Sequence, residues 1–177
     1  MNAVVVYESM FGNTEEVARA VAAGLGEHIS TYLVRAGDGL PSLGEGIDLV
    51  VLGCPTHAFS MSRPATREDA VRQGAAPAVA RFGIREFLGG SRAQGWRGPV
   101  ATFDTRVAKV CHLPGSAAKK AAAVARRQGH RLVADPVSFY VEDIRGPLLS
   151  GELQRAREWG GRLGTAVAGA AAQRGVS

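Results

Sequence analysis

Apolar positions along the chain fall into short unbroken blocks separated by longer amphipathic stretches. The block at residues 3–6, AVVV, is β-branched and does not alternate with polar residues, which predicts a strand buried on both faces. It breaks in YESMFGNTEEVA, residues 7–18, where Asn13 is expected to cap a helix carrying Glu15 and Glu16 in its first turn. Val17, Val21 and Leu25 recur at helical spacing, and Gly24 and Gly26 are expected to stop that helix. Further strands are expected in HISTYLVRA (28–36), IDLVVLGCP (47–55) and GPVATFDT (98–105). A fifth begins within residues 130–143, where Pro136 should divide an approach segment from the strand proper, because proline cannot donate to a central ladder. Helical stretches intervene at 83–90 with the residues upstream, at 116–129 and at 151–173. This alternation predicts an α/β sandwich: a five-stranded parallel sheet, right-handed crossovers, and helices on both faces.

No internal repeat or linker interrupts the pattern, so one domain is expected over residues 1–177. The Ala-rich tail beyond Leu163 should continue the last helix and fray near Arg174. One connection, residues 56–82, is longer than its helix requires. Long loops in compact domains are often functional. A short extra helix is expected there at Arg67, Glu68 and Asp69, either functional or a simple decoration of the domain edge.

Charge narrows the partners. With 21 Lys+Arg against 16 Asp+Glu, the formal charge is +5 and the sequence pI about 9.8, a balance that favours acidic partners. The basic residues are scattered without a stripe of interleaved aromatics or a known binding motif, so nucleic acid is not an expected partner. Cys54 and Cys111 match neither a disulfide framework nor a zinc spacing, and no metal site is expected. The start MNAVVVYESM shows no basic segment followed by a long apolar run, and no stretch is long enough to span a bilayer. The expectation is a cytoplasmic protein without membrane insertion.

The break after the first strand carries the chemistry. Backbone N–H groups at a helix start, the Ser9 and Thr14 hydroxyls, and Gly12 allowing close approach form a place for a phosphate or other anion. No Lys precedes the Ser or Thr as a P-loop demands, and no G-x-G-x-x-G follows a strand. In an open parallel sheet, ligands bind beyond the carboxyl ends of the strands at a topological switch point. For the order 2-1-3-4-5 that point lies between the first and third strands, so ESMFGNT (8–14), GCPTHAFSM (53–61) and FDTRVAKVCH (103–112) should converge. Receiver domains share this order but need acidic residues after the first strand and an Asp after the third, where this chain has ESMFG and GCPTH.

Val5, Val6, Tyr7, Ser9, Gly12, Thr14 and Ala18 stand in the order and spacing of the FMN phosphate signature of the flavodoxin family, which the chain resembles. The resemblance extends to GCPTH in the second loop and to SFYVEDIRGPL and GELQRAREWG near the end. It implies a flavodoxin-like fold and FMN as cofactor. Ser9, Gly12, Asn13 and Thr14 would hold the phosphate with the amides of Met10 and Phe11. Pro55, Thr56, His57 and Phe59 would line one side of the flavin ring, and Asp104, Thr105 and Arg106 the other. Two departures stand out. The third loop offers no stacking aromatic other than His112, and the chain lacks the strong acidity of flavodoxin carriers. Two functions follow as expectations. One is an FMN electron carrier serving a protein partner. The other is an FMN reductase or oxidase acting on a small quinone or porphyrinogen-like substrate, its pocket shaped by the long connection. A fold that binds no flavin is a third. Cys54 and Cys111 could also form a redox pair near the ring edge, although isolated cysteines are more often small buried residues.

Overall fold

The computed structural model describes residues 1–38, 46–93 and 95–174. In chain order the elements are β1 (Asn2–Tyr7), α1 (Asn13–Gly26), β2 (Ser30–Arg35), β3 (Ile47–His57), β4 (Ser60–Met61), α2 (Pro64–Arg72), α3 (Ile84–Ala93), β5 (Pro99–Val107), α4 (Ala117–Arg127), β6 (Arg131–Leu132), β7 (Val137–Val141) and α5 (Glu152–Arg174). The main parallel strands run in the order β2-β1-β3-β5-β7, the doubly wound arrangement expected from the alternating pattern. The fifth strand is divided as Pro136 required. β6 pairs with Pro99 and Val100, while β7 pairs with Phe103 through Val107.

Burial follows the pleat. Val5, Leu49, Val51, Ala101 and Phe103 face α1 and α5, whereas Val4, Val6, Val50, Leu52 and Val100 face α3 and α4. The alanine stripe Ala117, Ala118, Ala121, Ala122 and Ala125 is fully buried, and such small side chains let α4 sit close on the sheet. Ser116 caps α4 by accepting the N–H of Lys119.

Three expectations need correction. The N-cap of α1 is Gly12, in the left-handed region at φ 96°, and no side chain caps this helix; Asn13 is its first residue. Gly24 does not stop α1 but lies buried inside it against α5, and the helix ends at Gly26. The third strand passes Pro55 to His57, then doubles back through β4, with Thr56 opposite Met61 and His57 opposite Ser60. The extra helix is present as nine-residue α2, followed by a 3₁₀ turn at Pro77–Ala80. α5 runs to Arg174, and the tail beyond it lies outside the described residues.

Candidate functional site

A cavity of about 310 Å³ opens at the carboxyl ends of the strands. Its walls come from the three loops that the strand order brings together, and from two elements that it does not predict. The β1–α1 loop contributes Ser9, Met10, Phe11, Asn13 and Thr14, the end of β3 contributes Pro55, Thr56 and His57, and β5 contributes Thr105 and Arg106. α2 adds Thr66, Asp69, Ala70 and Gln73, and the exit of β7 adds Val141 and Ile144.

Ser9 and Thr14 are both buried at the start of α1. The Ser9 hydroxyl accepts the N–H of Gly12 at 3.1 Å, which leaves its own O–H free to donate. The Thr14 and Thr105 hydroxyls lie 2.8 Å apart. One donates to the other, so the pair keeps one further O–H for a ligand. The N–H groups of Asn13, Thr14 and Glu15 have no intrahelical acceptor at the start of α1 and no side-chain cap, and they carry the positive end of the helix dipole.

The other expected residues divide by depth. Asp104 is fully buried and stands behind the wall rather than on it. Its Oδ2 accepts from Thr56 Oγ1 (2.9 Å), Ser116 Oγ (2.5 Å) and the Ala118 N–H (2.9 Å). Thr56 in turn accepts the N–H of Ala117, so its hydroxyl is spent on tying β3 to the start of α4. Arg106 is buried on the wall and braces the next loop by donating to the Val110 and Leu113 carbonyls. His57 is uncharged at neutral pH, since burial and then the Arg67 charge hold its pKa below the usual histidine value. Phe59 and Gly12 are not on the cavity wall. Cys54 is buried, with its thiol pushed well up by burial and then by Asp104 and Glu8, while Cys111 is exposed and unpaired. No disulfide joins them.

α2 is held by a buried ionic cluster that sequence reasoning missed. Arg67, 1% exposed, donates to the Ala80 carbonyl (3.2 Å), Ser62 Oγ (3.0 Å) and Glu86 Oε1 (3.0 Å). Glu8, buried directly after β1, accepts the Ile84 N–H at 2.9 Å. A Cβ on Gly83 would overlap the Glu8 carboxylate, so any side chain there would have to push that carboxylate aside. Met10 packs with Ala70, Ala75 and Val79, joining the β1–α1 loop to the inserted segment. Arg145 closes the far side by stacking on Phe11 at 5.6 Å and donating to the Gln73 carbonyl.

Burial raises the Glu8 pKa above its ordinary value of 4.5, against the lowering effects of Ser62, Ile84 and Arg67. A carboxyl raised on folding stabilises fully below its unfolded pKa, and that contribution is lost as pH rises through the folded value. Wild type and Glu8→Gln should therefore melt alike at acid pH, with wild type falling behind as pH climbs above 4.5. Parallel melting curves across the pH range would show that folding leaves the Glu8 pKa unshifted.

No protein-family model matches the chain. Its fold is similar to that of a flavodoxin from the domain Archaea, with TM-score 0.63 and 16% identity over 94% of this chain and 99% of that one. The WrbA-like flavodoxin of Agrobacterium tumefaciens gives 0.59 and 19% over 94% and 96%. The flavodiiron protein of Giardia intestinalis gives 0.64 and 19%, with 94% of this chain matching 36% of that protein. The fold is therefore flavodoxin-like.

Proposed function

We propose that the chain binds FMN in this cavity and carries electrons to a protein partner. The uncapped start of α1, opening onto the cavity beside two buried hydroxyls, is the observation that supports this reading. A terminal phosphate suits those donors. Ser9 and Thr14 would donate to it together with the first amides of α1, and Thr105 would fix the orientation of Thr14. The ring would lie between the Pro55–His57 segment and Thr105–Arg106, with neutral His57 adding no charge. FMN, when bound, would supply the capacity to take up and release electrons.

Titration with FMN, FAD and riboflavin, followed by absorbance, tests the reading. FMN should bind tightest, and equal affinity for riboflavin would remove the phosphate argument. Ser9→Ala and Thr14→Ala should each weaken FMN binding by about 1–3 kcal/mol, as expected for hydroxyls bonded to a charged group. No flavin uptake at all would leave a fold without redox function.

A second reading, an FMN-dependent reductase or oxidase of a quinone or porphyrinogen-like substrate, is favoured by the polar side chains that α2 turns into the cavity. Saturable turnover of a soluble quinone, with a KM moved by Asp69→Asn, would select it over electron carriage.

A further inference from the structure

We propose that the tip of the β3–β4 hairpin and the loop after β5 form a docking surface for an acidic protein, centred on Phe59 and framed by Lys109, Lys119 and Lys120. This deepens the electron-carrier reading, on which it rests, by stating the chemistry of the partner.

The hairpin turn is unusual. Its two central residues, Ala58 at φ 45° and Phe59 at φ 62°, both occupy the left-handed region, where Asn and Gly are the ordinary choices and a bulky side chain is an outlier. The surroundings nevertheless hold it firmly. Thr56 is tied to Asp104 and to the Ala117 N–H, and Arg85 donates to the Met61 and Ser62 carbonyls. A Cβ on Gly115 would overlap Phe59, so the opposing loop is moulded to the hairpin backbone. Ala58 of this turn lines the cavity, whereas Phe59 is 47% exposed and contributes nothing to the cavity wall. Leu113, exposed two residues before Gly115, extends the apolar spot, and Arg106 holds its carbonyl. Backbone strain retained around an exposed side chain points to function. A rigid aromatic loses little entropy on contact and is the usual anchor of a protein interface.

The frame is cationic. Residues 105–134 contain seven Lys+Arg and no Asp or Glu. Lys109 lies in the loop whose Gly115 meets Phe59, Lys119 and Lys120 lie in the first turn of α4, which packs against β4, and Arg63 follows the hairpin. All four are exposed, and among the described residues none is engaged in an ion pair. Cations around an apolar centre complement a partner that is acidic around an apolar spot, and such charges act mainly through steering and register. A few charges about one aromatic also lack the extended track that a nucleic acid backbone would require. Ala58 in the turn, and His57 and Arg106 at the strand ends that lead into the hairpin turn and the loop after β5, line the cavity and place this surface beside its mouth.

Plant-type ferredoxin, an acidic iron–sulfur protein, is the probe, and basic cytochrome c is the control. Calorimetric titrations of the full chain should show ferredoxin binding that weakens at least about tenfold between about 25 mM and about 300 mM salt, with none for cytochrome c. Combining Lys109→Glu, Lys119→Glu and Lys120→Glu should weaken it further, by about thirtyfold or more. Phe59→Gly should weaken it about fivefold while the melting temperature holds or rises, because glycine relieves the positive φ. Absence of ferredoxin binding, indifference to the lysine or Phe59 changes, or tighter binding of duplex DNA or phosphatidylserine vesicles would overturn the proposal. Flavin absorbance in the same samples separates the two readings, since loss of FMN uptake with ferredoxin binding intact would overturn only the cofactor assignment.

Discussion

Replacing Arg67 with methionine should cost the fold about 3–5 kcal/mol, the range expected when one partner of a buried charge cluster is removed. For a chain of this size each kcal/mol moves the midpoint by about 2–4 °C, so the melting temperature should fall by about 6–20 °C. The cost arises because methionine fills the space but cannot serve the Ala80 carbonyl, the Ser62 hydroxyl and the Glu86 carboxylate, and it leaves buried Glu8 without a nearby cation. Arg67→Lys keeps the charge but loses the planar fork, so it should fall between wild type and methionine. The damage should be local first. In hydrogen exchange, amides of α2 should lose protection well before those of α1. A loss below about 1 kcal/mol, the size of an exposed ion pair, would mean that the Met10–Ala70–Val79 contacts alone hold α2.

Alanine at Gly24 or Gly160 should destabilise by about 3 kcal/mol, at the upper end of ordinary overpacking. Helix propensity alone predicts the opposite sign, a gain of about 1 kcal/mol for Gly to Ala in a helix interior. Packing decides the outcome. A Cβ on Gly24 would overlap the Arg157 carbonyl oxygen and lie 2.8 Å from the Gly161 nitrogen, while one on Gly160 would overlap the Val21 carbonyl. These are backbone atoms of the opposing helix, so no rotamer change relieves the clash; α1 and α5 would have to separate, exposing Trp159 and Leu163. Gly169, in the same helix α5, supplies the contrast. Nothing lies within 4 Å of a Cβ built there, so Gly169→Ala should be neutral or stabilise by up to about 1 kcal/mol. Urea unfolding of the three variants would show the reversal of sign, and equal effects at all three would refute the close helix contact.

Those glycines show where sequence reading stops. In the sequence Gly24 looks like a terminator, because the partner backbone that excludes a Cβ lies more than 130 residues away and leaves no local trace. Asn13 looks like a cap for a similar reason. Its residue type suits the role, but the chain enters the helix through Gly12 at positive φ, and no side chain turns back to the free amides. Asp104 and Phe59 both fall in segments that converge at the cavity, yet one sinks behind the wall to hold α4 and the other swings outside it. Neither depth nor direction can be read from a position in a segment.

What the sequence determined by itself was periodic or local: unbroken apolar strands, helical spacing in α1, the proline that divides the last strand, and the convergence of three loops at a switch point. Each follows from the pleat, the helical repeat or strand order, and these depend on residues near one another in the chain. What the tertiary structure alone decided was which polar groups meet across distance. Thr14 meets Thr105 across 91 positions and Glu8 meets Ile84 across 76. Arg67 draws α2 inward to become a cavity wall instead of an edge decoration. The physical reason is that a buried charge or hydroxyl must find a partner wherever the fold offers one, and local periodicity does not encode where that partner will be.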